Sequence, residues 1–145
     1  MKADLVIFPE LSITNYEPTI ASKLAADVND SIFDVFQDLS NQHQITISVG
    51  MPTRIQEGIL ISMLIFETHQ RRRIYSKQLL HTDELLFFKK GKKQSYLNIK
   101  GTKIALAICY ESLQIEHFLN TQKDKAIIYI ASVAKPQRGI EKAVD

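Results

Sequence analysis

Two reactive side chains stand at the ends of apolar runs in this chain: Cys109 closes "IALAIC", and Glu10 follows "LVIF" and Pro9. Both runs read as buried strands, and a polar group delivered straight after such a strand is costly to bury unless something pairs or uses it. Glu10 is therefore a candidate general base and Cys109 a candidate nucleophile, because a thiol needs help to lose its proton at neutral pH. A helix starting soon after Cys109 would offer its free amides to the thiolate and, with a nearby cation, lower the pKa below the free-thiol value of about 8.5. Taken singly, Cys109 could equally be a small buried hydrophobe and Glu10 a solvated strand-end charge. Histidine is the commonest base for a catalytic thiol, so a pairing of Cys109 with His81 or His117 is the alternative arrangement.

The elements that must position these residues follow from apolar spacing. Leu5 to Phe8 reads as a buried strand. Between Thr19 and Gln42 the apolar residues Ile20, Leu24, Val28, Ile32, Phe36 and Leu39 recur at helical spacing, giving one or two amphipathic helices, the second capped by Asn29-Asp30-Ser31. "ITISVGMP" and "ILISMLIFE" are β-branched and aliphatic, with "TRIQEG" between them, and "RRIYSK" is a third strand. Gln78 to Lys93 reads as a long loop with one short helical turn, and long loops in compact domains often carry function. "SYLNI" and "KIALAIC" form a hairpin through Lys100-Gly101. "ESLQIEHFLNTQ" is a helix, "KAIIYIAS" a buried strand, and "PQRGIEKAVD" the opening of a further helix. Residues 1–145 are read as one domain of sheets covered by helices.

Composition narrows the function classes. With 45% hydrophobic residues in 145, the chain supports one sizeable core. Its 18 Lys plus Arg balance 16 Asp plus Glu to a net charge of +2, so neither a nucleic acid nor a membrane surface is an expected partner. The apolar runs are far shorter than the roughly 20 residues a membrane span needs. "QRRR" and "KKGKK" have no interleaved aromatic residues for base stacking and read as solvated charge. His81, Asp83 and Glu84 in "HTDE" lack the spacing of a zinc site, so no metal is expected. A single cysteine excludes an internal disulfide and fits a reducing, cytoplasmic setting.

Taken in order, "DLVIFPEL", "YSKQLLHTDELLFFKKG" and "IALAICYES" resemble the three signature segments of the nitrilase (carbon-nitrogen hydrolase) superfamily. That family places a Glu after "FP", a Lys two residues after an aromatic residue, and a Cys before an aromatic residue. These fall on Glu10, on Lys77 after Tyr75, and on Cys109 before Tyr110, at intervals of 67 positions from Glu10 to Lys77 and 32 from Lys77 to Cys109. A further family glutamate matches Glu84. The resemblance runs from Ala3 to Ser132, but "SLQIEHF" replaces the frequent "FPE" ending after the cysteine, a departure that bears on substrate choice.

The resemblance implies an α-β-β-α sandwich, incomplete in this chain, and a homodimer. It implies hydrolysis of a non-peptide C–N bond in a small amide or carbamoyl compound, or in a nitrile, through a cysteine thioester without metal or organic cofactor. Glu10 would be the base and Lys77 the cation that holds the developing anion, a role worth ~10²–10³ in rate per donor. Glu84 would orient Lys77 or the substrate, and Tyr110 would border the substrate, its position after the nucleophile being more amidase-like than nitrilase-like. Other roles open to the same superfamily are acyl transfer, whose lipoprotein N-acyltransferases share "CYE" but carry membrane spans, and a non-catalytic fragment that binds without turnover. The family's usual domain starts with a strand and helix before the "FPE" segment and continues well past the last strand here, so a domain truncated at both ends, poorly folded or inactive alone, is the expectation.

Overall fold

The computed structural model describes residues 3–135, and the helix read at Pro136 to Asp145 lies outside the described residues. Seven strands form two sheets. The first runs in the order β1 (Leu5–Ile7), β2 (Thr46–Ile55), β3 (Gly58–Phe66), β4 (Arg73–Ser76), with β1 parallel to β2 and the other pairs antiparallel. The second is β5 (Tyr96–Ile99), β6 (Thr102–Ile108) and β7 (Ile128–Ser132), with β7 parallel to β6. Three α-helices accompany them: α1 (Ala21–Leu24), α2 (Asp34–His43) and α3 (Ile115–Lys123).

Period-2 alternation sorts the strand residues between two apolar layers. Ile59, Ile61, Met63 and Ile65 of β3 pack with Ile104, Leu106 and Ile108 of β6 in one cluster, which is the interior between the sheets. Leu64 and Phe66, alternating with them, join Ile47, Val49 and Met51 of β2 against Phe33 and Phe36 of the α2 segment. On the other side, Phe118 of α3 meets the Tyr129 ring of β7 edge-on. The layers are therefore helix, sheet, sheet, helix, the α-β-β-α sandwich of the nitrilase superfamily.

Several local readings hold and some shift. Lys100 and Gly101 both have positive φ, 51° and 81°, the backbone of a two-residue hairpin turn. The stretch from Thr19 to Gln42 is broken into two helices, because Ala26 leaves the helical path to bond Pro52 and Arg54 of β2 across its backbone. Asp30 caps the second piece, its Oδ1 accepting from the Ile32 amide at 3.0 Å. The strand after Asp4 is half-buried rather than buried: β1 pairs with β2 alone, and Phe8 is 44% exposed. The helix expected from Glu111 starts at Ile115 instead, after a tight 3-10 turn at Cys109–Leu113. Among the described residues no helix is long and apolar enough to cross a membrane.

Two glycines set the backbone where the strand-end residues emerge. A Cβ on Gly50 of β2 would lie 2.3 Å from the Leu11 amide nitrogen and 2.5 Å from the Pro9 carbonyl oxygen, so only glycine lets the turn carrying Glu10 lie on the sheet. A Cβ on Gly91 would lie 2.0 Å from the Ser76 carbonyl oxygen, and the Gly91 amide donates to the Lys77 carbonyl at 2.7 Å. The glycine inside "KKGKK" thus secures the chain at Lys77.

Candidate active site

Glu10, Lys77 and Cys109 emerge just beyond the ends of β1, β4 and β6, respectively. Lys77 is 0% exposed and Glu10 3%. The Lys77 ammonium donates to Glu10 Oε1 at 2.8 Å and to Glu84 Oε1 at 2.6 Å, so one cation holds two carboxylates. Glu84 arrives on the single 3-10 turn of the long loop, Thr82–Glu84, and its other oxygen accepts from the His81 amide at 2.7 Å. Glu10 differs: its Oε2 is buried and has no hydrogen-bond partner among the described residues. Such an oxygen is unusual in a folded interior.

Cys109 has φ 47°, the left-handed region that a non-glycine side chain adopts at a cost, held there by the turn that follows β6. Its thiol shares a cavity of about 230 Å³ with Glu10, Glu84, Tyr110, Tyr16 and Lys135, with the exposed His81 and Asp83 also on the wall. A larger groove of about 420 Å³ along Ile55, Leu60, Ile74 and Lys90 holds no nucleophilic thiol, and its charged groups are exposed.

Charge in this corner is unevenly compensated. Burial raises the Glu10 carboxyl above the ordinary glutamate value; Lys77 offsets part of that rise and the charge of Glu84 adds to it. Burial alone would lower Lys77, but Glu10 and then Glu84 outweigh it, leaving Lys77 above its ordinary value and protonated. The Cys109 thiol is pushed up to about 11, first by burial and then by the Glu10 charge, with Lys77 and Lys135 offsetting only part. This corrects the expectation of a lowered thiol pKa: burial and the Glu10 charge outweigh the cations nearby, so the resting nucleophile is a neutral thiol. A thiol in that state depends on a base at the moment of attack.

Among the described residues neither candidate histidine is hydrogen-bonded to the Cys109 thiol. His117 lies on α3, its Nε2 against the Tyr75 hydroxyl at 3.0 Å and its Nδ1 against the Tyr129 hydroxyl at 2.9 Å. Burial holds its pKa below the ordinary histidine value, so it is neutral between the two phenols. His81 reaches the cavity, but its Nδ1 pairs with Asp83 and its ring meets Tyr110 edge-on at 5.2 Å. Among the described residues no cluster of three or more His, Cys, Asp or Glu is arranged to hold a metal ion.

Two residues escaped the sequence reading. Tyr16 donates its hydroxyl to Glu84 Oε1 at 3.0 Å from 68 residues away. Glu111, fully buried, accepts from the Ile108 amide at 2.7 Å and the Tyr75 hydroxyl at 2.8 Å on one oxygen, and from the Gln78 and Leu79 amides at 2.6 and 3.2 Å on the other. One carboxylate thereby ties the strand end before Cys109 to the chain just after Lys77. A charge two positions beyond the nucleophile in "ICYES" was the available signal, but it read as the start of a helix.

Comparison with known proteins agrees with this architecture. The family model described as carbon-nitrogen hydrolase matches residues 1–142. A glutamine-dependent NAD(+) synthetase of Aquifex aeolicus (strain VF5) is 23% identical over 114 residues, 74% of this chain and 20% of that protein. The amidase from Nesterenkonia sp. AN1, in a structure showing covalent addition of the acetamide moiety of fluoroacetamide at its active site cysteine, superposes with a TM-score of 0.80 at 18% identity, over 97% of this chain and 56% of that one. Saccharomyces cerevisiae Nit3, a member of branch 10 of the nitrilase superfamily, gives 0.80 at 19% identity, over 94% and 53%. The chain thus spans a fifth of the curated relative and little more than half of these two solved chains. With the family model matching nearly its whole length and the sandwich fold in place, the chain belongs to the carbon-nitrogen hydrolase family.

Proposed function

We propose that this chain carries the reaction centre of an amidase-like hydrolase that cleaves the C–N bond of a small amide or carbamoyl compound through a thioester on Cys109. The observation that carries this reading is that a neutral thiol and a buried carboxylate, one of whose oxygens has no partner among the described residues, line one cavity, and that the two buried carboxylates on its wall, Glu10 and Glu84, hold a buried ammonium between them. Glu10 takes the thiol proton as sulfur attacks the carbonyl carbon, and Lys77 holds the oxyanion of the tetrahedral adduct. Protonated Glu10 then passes its proton to the leaving nitrogen, and ammonia or an amine departs, leaving an acyl group on sulfur. Water, deprotonated by Glu10, attacks the thioester; the carboxylic acid leaves and the proton returns to sulfur. A cavity of about 230 Å³ favours short substrates.

The test offers short primary amides and carbamoyl compounds, with nitriles as a comparison, and follows ammonia release. Acid-quenched samples are weighed intact. An acyl increment on Cys109 together with ammonia release is expected. Ammonia release that persists in Cys109→Ala overturns the reading.

A further inference from the structure

Tyr16 belongs to no helix or strand, yet its hydroxyl donates to Glu84 Oε1 at 3.0 Å, the same oxygen that receives Lys77 at 2.6 Å. With the His81 amide on Oε2 at 2.7 Å, Glu84 has three donors. Among the described residues Glu10 has one, Lys77, on one of its two oxygens. A single ammonium shared by two carboxylates is drawn toward whichever is less satisfied by other donors. We propose that Tyr16 is a positioning residue which quenches part of the Glu84 charge through that bond, so that Lys77, 2.6 Å from Glu84, also stays bonded to Glu10 at 2.8 Å and available to the oxygen of the attacked carbonyl.

This inference rests on the reading in which Glu10 is the base for Cys109. The charged and titratable groups facing Tyr16 and Glu84 among the described residues are Glu10 beyond β1, Lys77 beyond β4, His81 and Asp83 on the same loop, Cys109 and Tyr110 beyond β6, and Lys135 beyond β7. Burial and then Glu84 push the Tyr16 phenol far above its ordinary value, so it remains a donor at every pH at which the protein would work. Removing the hydroxyl leaves Glu84 more negative. That pulls Lys77 away from Glu10 and increases the repulsion that already raises the Glu10 carboxyl. A base works only when ionised, so the acid limb of any Glu10-assisted reaction moves to higher pH.

Alkylation of Cys109 by iodoacetamide, followed by intact mass across pH, reads this limb without any assumption about substrate. In Tyr16→Phe the limb is expected to rise by roughly half a unit to one unit, which slows alkylation about threefold to tenfold on the limb and leaves the plateau nearly unchanged. Glu84→Gln removes the charge itself and should move the limb down, and adding Tyr16→Phe to that variant should then change little, the signature of two residues acting through one another. An unshifted limb in Tyr16→Phe, or equal shifts with and without Glu84, overturns the inference. If Tyr16→Phe unfolds, the sign of the Glu84→Gln shift decides, and an upward shift overturns it. Glu10→Gln separates this from the parent reading: if its limb is unchanged, Glu10 is not the base and the mechanism itself falls.

Discussion

Glu111 and Glu10 are both buried carboxylates beside the Cys109 turn, and the protein finishes them differently. Glu111 receives four donors, three of them backbone amides that cannot move away, and both of its oxygens are occupied. Glu10 receives one donor, the Lys77 ammonium, and keeps an oxygen free. The first arrangement uses a carboxylate as a tie between two strand ends. The second leaves it able to take a proton. Glu84, with three donors, stands nearer to Glu111 in kind. The difference teaches that proximity to a nucleophile does not by itself suit a carboxylate to act as a base; an oxygen left without a donor does.

The largest effect should come from the reactive side of this comparison. Glu10→Gln keeps the shape and removes the proton acceptor, and Lys77→Met removes the cation from the developing oxyanion; each should lower turnover at least ~10²-fold. Neither loss should be accompanied by loss of the fold, which circular dichroism and thermal melting check. If Glu10→Gln retains turnover while His81→Ala abolishes it, the histidine is the base.

Glu111→Gln should behave in the opposite way, with stability and activity falling together. The introduced amide group would face N–H donors on whichever side it points, because the oxygens on both sides receive backbone amides. A buried donor left facing a donor costs about 1–3 kcal/mol, which thermal melting would register. The strand end before Cys109 would also lose its tie to the chain after Lys77, and a misplacement near 1 Å costs up to ~10² in rate. Unchanged melting with lost activity would mean that Glu111 is chemical rather than structural.

The sequence made one side of this contrast visible and hid the other. Glu10 and Cys109 stood out because each follows an apolar run, where a polar residue is out of place, and Lys77 because three short segments stand in a recognisable order. The strands and the Lys100-Gly101 turn were legible for the same local reasons. Glu111 was not, since a glutamate after "CY" is an ordinary helix-start residue until Gln78 and Leu79 are brought to it from more than 30 positions away. Tyr16, Gly50 and Gly91 share that blindness: their meaning lies in a contact with Glu84, with the Glu10 turn and with the Lys77 backbone. The direction of the Cys109 shift was misread because a cation nearby was counted without the burial of the thiol and the Glu10 charge that outweigh it.

A pH profile tests the contrast by a smaller margin. Because burial raises the Glu10 carboxyl in the folded protein, the fraction ionised falls earlier as pH is lowered than for an exposed glutamate. The acid limb of kcat/KM should therefore lie above the ordinary glutamate value of about 4.3. A limb at or below that value would mean that Lys77 outweighs burial, and that Glu10 is held as firmly ionised as a purely structural carboxylate.

The smallest effect is expected at His81, and it discriminates between backbone and side chain within one residue. The site uses the His81 amide, which donates to Glu84 Oε2 at 2.7 Å, and alanine keeps that amide. The imidazole pairs instead with exposed Asp83 and stacks on the edge of Tyr110. An exposed pair of this kind contributes little to stability, being screened by water and salt. Without the ring, Tyr110 loses one neighbour on the cavity wall, which would register as a modest change in KM. His81→Ala should thus lose less than about threefold in kcat, on the scale where removing a general base costs 10²–10⁴. His81→Pro, which removes the amide donor while Glu84 stays in place, should lose more than alanine. Equal losses in the two variants would show that the ring matters and the amide does not, and would return the Cys-His pair to consideration.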